Sequence, residues 1–189
     1  MFSKEKILFI LGTKNSGKTS SIEYLIEDLT NKGIKVGAIK FTHKEVISED
    51  SKKDTARLRS SGSAYSFLVT PIETSLAIKR EKREKIGDII NYINQSGDLI
   101  PKIDILICES LNNPPENSKI VLFASNKNDL EKYYNPLQNP EIMAISGKIS
   151  KSNLKNWRKI DIIDLLLSEE RKKLVKQIID KYGLKDNDS

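Results

Sequence analysis

Cysteine, histidine and tryptophan each occur once, as Cys108, His43 and Trp157, and aromatic residues make up only 6% of the chain. A lone cysteine forms no disulfide within the chain, and one Cys with one His cannot complete a four-ligand zinc site. This scarcity fits a reducing, cytoplasmic setting. Aromatics so sparse and scattered do not interleave with basic residues as a nucleic-acid-binding module requires, so nucleic acid is not an expected partner. No apolar run approaches the length of a membrane span. The run 7–11, which follows Lys4 and Lys6, is too short for a signal-peptide core.

The chain does carry charge, with 32 Lys and Arg against 26 Asp and Glu, a net +6 and a pI near 9.2. That balance suits an anionic partner, whether a nucleotide, a phosphorylated cofactor, nucleic acid or an acidic protein surface, and charge alone does not choose among them. With 189 residues and 38% hydrophobic content, one sizeable core can be buried, and a single domain over residues 1–189 is expected. Short apolar, β-branched runs alternate with amphipathic stretches. This pattern predicts an α/β fold, a mostly parallel sheet flanked by helices on both faces. Strands are expected over 6–12, 34–40, 64–69, 75–80, 102–109, 119–125 and 141–146. Helices are expected from Gly17 to about Lys32, over KKDTARLRSS and over KREKIGDIINYINQ, with a helical C-terminal segment about 160–183.

The most informative stretch is GTKNSGKTS, residues 12–20, directly behind KILFIL and ahead of SIEYLIEDL. Gly12 to Thr19 match GxxxxGK[ST] between an apolar run and a helix start, the context that a P-loop requires. In such a loop the backbone N–H groups of Gly12, Thr13, Lys14, Asn15, Ser16, Gly17, Lys18, Thr19 and Ser20 surround phosphate oxygens. Lys18 reaches the β and γ phosphates, and the Thr19 hydroxyl can ligate Mg²⁺. Lys14 stands one place beyond the extra lysine of deviant phosphate loops, so that special role is not assigned to it. A metal-bound triphosphate also needs a carboxylate at a neighbouring strand end. IDILICE supplies Glu109, whereas Asp104 begins that strand and faces the wrong edge. Cys108 reads as a small buried hydrophobe.

The base is addressed by Asn126-Lys127-Asn128-Asp129, which fits NKxD after an apolar strand. An aspartate there accepts hydrogen bonds from guanine N1–H and the 2-amino group, and adenine offers no such donor pair. The plainer reading is a polar turn that caps a helix. Ser146-Gly147-Lys148, at the end of the next strand, resembles the SAK loop whose backbone N–H contacts guanine O6 in GTPases. Together they point to GTP.

The chain resembles the molybdopterin-guanine dinucleotide biosynthesis protein B (MobB) family of P-loop proteins. The matching segments are GTKNSGKTSSIEYLIEDLTNKGIKVGAIK, KKDTARLRSSGS and DILICES, within about the first 110 residues. The resemblance implies a GTP-binding protein with weak Mg²⁺-dependent GTPase activity that assists attachment of GMP to molybdopterin. It places Asp54, Arg57 and Glu109 around nucleotide and metal, so that Lys18, Asp54 and Glu109 are the catalytic candidates and Thr19, Asp54 and Glu109 the metal candidates. It further implies molybdopterin and its guanylyl transferase as partners, and a homodimer. The segment from Lys40 to Gly62, rich in both charges and holding Lys52, Lys53, Arg57 and Arg59, is expected to form one wall of a cleft that meets molybdopterin or the transferase; the plainer reading is a solvated helix face. Departures are the single His43 where the family has a histidine-rich run, Ser110 in place of a glycine, and NKND itself. Two other classes stay open: a P-loop kinase that moves a γ-phosphate to a small molecule, and a nucleic-acid-binding module with an incidental nucleotide site.

Overall fold

An apolar run without polar interruption becomes a strand that is buried on both faces, and ILFILG does so, with all six residues buried. The computed structural model describes residues 1–42, 54–109, 114–134 and 141–187. In chain order its elements are β1 (Ile7–Gly12), α1 (Lys18–Asn31), β2 (Val36–Lys40), α2 (Asp54–Ser60), β3 (Tyr65–Val69), β4 (Thr74–Ile78) and α3 (Ile86–Gln95). They continue as β5 (Ile105–Glu109), β6 (Lys119–Phe123), α4 (Lys127–Tyr133), β7 (Glu141–Ser146), β8 (Asn156–Trp157), β9 (Ile160–Asp161) and α5 (Ser168–Tyr182). The chain groups into two compact units, Met1–Phe41 with Ile90–Ser189, and Thr42–Ile89.

The larger unit holds a five-stranded sheet in the order β2-β5-β1-β6-β7, with every pairing parallel. This is the expected α/β arrangement, a P-loop NTPase-like fold. One sheet face presents Leu8, Ile10, Ile105, Ile107, Val121, Phe123 and Ala144. They pack with Leu25 and Leu29 of α1 and with Leu174, Val175 and Ile178 of α5. The alternate residues Phe9, Leu11, Leu106, Cys108, Ile120, Leu122 and Ile145 are buried as well. Parallel strands share one direction, so the C-terminal ends of β1, β5 and β6 meet at one edge, where open α/β sheets bind ligands.

The two helices of the first face are also joined by charge. Arg171 on α5 is buried, donates to Asp28 on α1 at 2.6 Å and to the Leu165 carbonyl at 3.0 Å, and lies over the Tyr24 ring. Arg171→Ala leaves Asp28 without this donor and strips a buried carbonyl of its bond. It is expected to cost about 2–4 kcal/mol, read as a lower midpoint in urea denaturation. An unchanged midpoint would mean that the pair adds nothing to the α1–α5 packing.

Two expectations are corrected here. Residues 64–69 and 75–80 do not join the parallel sheet. As β3 and β4 they pair with each other, antiparallel, from Tyr65 opposite Ile78 to Val69 opposite Thr74. Their turn is closed by Thr70, whose N–H donates to the Glu73 carbonyl at 2.8 Å. In the same unit Arg59 of α2 donates to Ser66 Oγ at 2.5 Å. The expected helical segment about 160–183 is helical only from Ser168. Before it, β8 and β9 form a hairpin, and Ile162 bridges Ile145 at the end of β7.

Candidate phosphate and base site

Between β1 and α1 the loop 12–17 turns sharply, and three of its residues have positive φ: Gly12 at 143°, Asn15 at 58° and Gly17 at 91°. Gly17 occupies the position ahead of α1. The first-turn N–H groups of that helix, on Lys18, Thr19 and Ser20, precede the helix's own ladder of hydrogen bonds and so are donors left over at its start, next to the loop. The lysine ammonium is folded onto the loop, donating to the Gly12 carbonyl at 3.2 Å and the Thr13 carbonyl at 2.5 Å. Burial lowers the Lys18 pKa, opposed by the nearby negative charge of Glu109 and assisted by the positive charge of Lys40. Ser16 is buried and donates to the Thr13 carbonyl at 2.8 Å, which braces the turn. Lys14, Asn15, Thr19 and Ser20 are exposed.

Glu109 ends β5, the strand next to β1, where Ile10 is its register partner. On its other side its register partner is Lys40 at the end of β2, and Lys40 Nζ lies 2.9 Å from Glu109 Oε2. Lys18, Glu109 and Lys40 thus form a run of alternating charge. The sequence places Lys40 only at the start of the expected cleft-wall segment, because its pairing with Glu109 depends on the sheet order. Cys108 lies on the same strand fully buried, its pKa raised to about 12 by burial and by Glu109, so it stays an unreactive thiol. No group of three or more His, Cys, Asp or Glu that could hold a metal occurs among the described residues. The Thr19 hydroxyl and Glu109 carboxylate are hard oxygen donors, which fits a Mg²⁺ held largely by phosphates and water rather than by a protein cage. Asp54 begins α2 in the smaller unit. Its side chain, like His43, Lys52, Lys53 and Ser110, lies outside the described residues.

The two candidate base loops adjoin the phosphate loop. Asn126 caps α4, its side chain accepting from the Asp129 N–H at 3.1 Å. Asp129 Oδ2 accepts from the Ser125 N–H at 2.8 Å and from the Thr13 hydroxyl at 3.3 Å. NKND is therefore a helix cap, and it is a cap tied to the phosphate loop. Gly147, at φ 97°, lies so close that a Cβ there would stand 2.8 Å from the carbonyl oxygens of both Ser16 and Ala124. Ser146 is buried and its Oγ accepts from the Leu165 N–H at 3.3 Å, while Lys127 and Lys148 are exposed. No helix among the described residues is long and apolar enough to cross a membrane.

Residues 7–148 match the family model described as molybdopterin guanine dinucleotide synthesis protein B. The chain belongs to the MobB family. Among curated relatives, the molybdopterin-guanine dinucleotide biosynthesis adapter protein of Escherichia coli is 27% identical over 62% of this chain and 65% of its own length. The aligned stretch thus falls short of two thirds of that relative. The Haemophilus influenzae adapter protein of the same name is 28% identical over 66% of this chain and 76% of its own. Among solved structures, Bacillus subtilis MobB superimposes with a TM-score of 0.69 at 19% identity, covering 93% of this chain and 97% of that one. The MobB homologue of Bacillus stearothermophilus gives 0.63 at 14%, covering 94% and 98%. At such identities these structures speak for the fold.

Proposed function

We propose that this MobB-family chain binds GTP with Mg²⁺ at residues 12–20, hydrolyses it slowly, and serves as an accessory protein in attaching GMP to molybdopterin. The observation that carries this reading is the convergence of loop 12–17, Lys18 and Glu109 at one edge of a parallel sheet, with both base loops touching the phosphate loop. In this reading the first-turn N–H groups of Lys18, Thr19 and Ser20 donate to phosphate oxygens. The Lys18 ammonium exchanges its two carbonyl acceptors for the β and γ oxygens. Thr19 and Glu109 would hold Mg²⁺, which when bound supplies charge neutralisation between the β and γ phosphates. The adapter names of the two relatives support an accessory role, with molybdopterin and its guanylyl transferase as partners.

A thermal-shift panel of GTP, ATP, GDP and molybdopterin with Mg²⁺ tests the assignment. A ligand present at a hundred times its Kd adds about 2.7 kcal/mol of stability, so GTP is expected to raise the melting temperature more than ATP does. No shift with any nucleotide would overturn the reading.

The base assignment has its own test in Asp129→Asn. The amide keeps an acceptor oxygen for the Ser125 N–H and the Thr13 hydroxyl, so the cap should persist. Guanine would lose a charged acceptor, at about 1.5–3 kcal/mol or roughly ten- to a hundredfold in GTP affinity. Xanthine replaces the 2-amino donor with a carbonyl that an amide can meet, so XTP should gain. Unaltered GTP affinity by titration calorimetry would leave NKND as a cap alone.

A further inference from the structure

We propose that Lys40 is a specificity-determining residue that distinguishes nucleoside triphosphate from diphosphate by exchanging its ion pair with Glu109 for the terminal phosphate. The inference rests on the nucleotide reading of loop 12–20 and names a residue which that reading does not use. Lys40 and Glu109 are register partners at the ends of adjacent parallel strands, so both side chains stand on the same face of the sheet edge, 2.9 Å apart. The backbone beneath them is fixed, since the ladder continues past Lys40 with the Phe41 N–H donating to the Glu109 carbonyl at 2.9 Å. The two side chains differ in freedom. The Glu109 side chain is 15% exposed and the Lys40 side chain 59%, so the lysine can move while the carboxylate stays.

Electrostatics gives the movement a direction. Glu109 is the register partner of Ile10, two residues before Gly12, whose carbonyl accepts from Lys18 Nζ at 3.2 Å, and on its other side Glu109 lies 2.9 Å from Lys40, so the three charges share one sheet edge. A diphosphate engages the loop N–H groups and Lys18. A third phosphoryl group adds negative charge at that edge, and the Mg²⁺ that Glu109 would hold there competes with Lys40 for the carboxylate, which frees the ammonium to meet the added charge. Lys40, exposed and paired to that carboxylate, is a cation placed to answer it, and a compact ammonium on a flexible stem suits the exchange.

The test compares GTP and GDP affinities, with Mg²⁺ present, in the full chain and its Lys40→Gln and Lys40→Arg variants, alongside melting temperatures without nucleotide. Lys40→Gln is expected to weaken GTP by about tenfold or more while GDP changes less than about twofold, and Lys40→Arg should restore most of the difference. Equal weakening of both nucleotides with a lowered melting temperature would make the pair a strand-end brace and overturn the inference. An unchanged ratio of the two affinities at an unchanged melting temperature would overturn it too. If the original chain binds neither nucleotide, the reading of the loop itself fails, a result distinct from the other two.

Discussion

Lys18→Ala is expected to lower GTP affinity by roughly two to four powers of ten. Two charge-assisted hydrogen bonds to phosphate oxygens are worth about 1.5–3 kcal/mol each, and the alanine supplies neither. Folding should survive the change. Among the described residues the ammonium donates to the Gly12 and Thr13 carbonyls, in a loop whose Lys14 and Asn15 are exposed. Burial also works against the charge, as the lowered pKa of Lys18 records. Losing those bonds and relieving that burial roughly offset, so urea denaturation should shift by no more than about 1 kcal/mol. Titration calorimetry with GTP is the deciding measurement, and an affinity equal to that of the original chain would remove the phosphate-loop assignment.

Gly12→Ala should act in the opposite way, on the fold before the ligand. Gly12 is the last residue of β1 and the register partner of Phe123 on β6. A Cβ there would stand 2.0 Å from the Phe123 carbonyl oxygen and 2.7 Å from its Cβ, at a φ of 143°. Backbone strain of about 1–3 kcal/mol and overpacking of about 1–3 kcal/mol sum to roughly 2–6, a large share of the 5–15 kcal/mol typical of a domain. Equilibrium urea denaturation reads the loss directly. Gly17→Ala is the control. Nothing lies within 4 Å of the Cβ it would add, so only its φ of 91° is strained, and about 1–2 kcal/mol is expected. Equal stability of the two variants would show that the contact with Phe123 does not constrain the loop.

Legibility in the sequence followed the range of the forces involved. Strand β1, the loop and helix α1 were readable because each depends on neighbours along the chain: an apolar run, a glycine turn, a 3.6-residue stripe. Glu109 was readable for the same reason, as the first charge after ILIC. Strands β3 and β4 were visible as strands, but alternation of apolar and polar residues does not say which strand pairs with which, and they pair with each other. The residues from Ile160 were misread because IDIIDLLL also repeats at helical spacing. Their hairpin turns at Arg158 and Lys159, both at positive φ, without the glycine or asparagine that ordinarily marks such a turn. The pairings of Lys40 with Glu109 and of Arg171 with Asp28 were not legible because the partners are remote in sequence and adjacent only once the sheet order and the α1–α5 packing are known.

The packing of α5 against α1 also fixes when the molecule can finish folding. The core beneath the phosphate loop is shared by Leu8, Ile10 and Leu25 with Leu174, Val175 and Ile178. On a ribosome that adds about 5–20 residues per second, roughly 150 residues separate Leu25 from Ile178, so α1 waits about 8–30 s for the surface that covers it. During that interval the helix that carries Lys18 has only a partial apolar lining. The nascent chain therefore acquires its ligand site late, and contacts this remote in sequence are of the kind that slow folding.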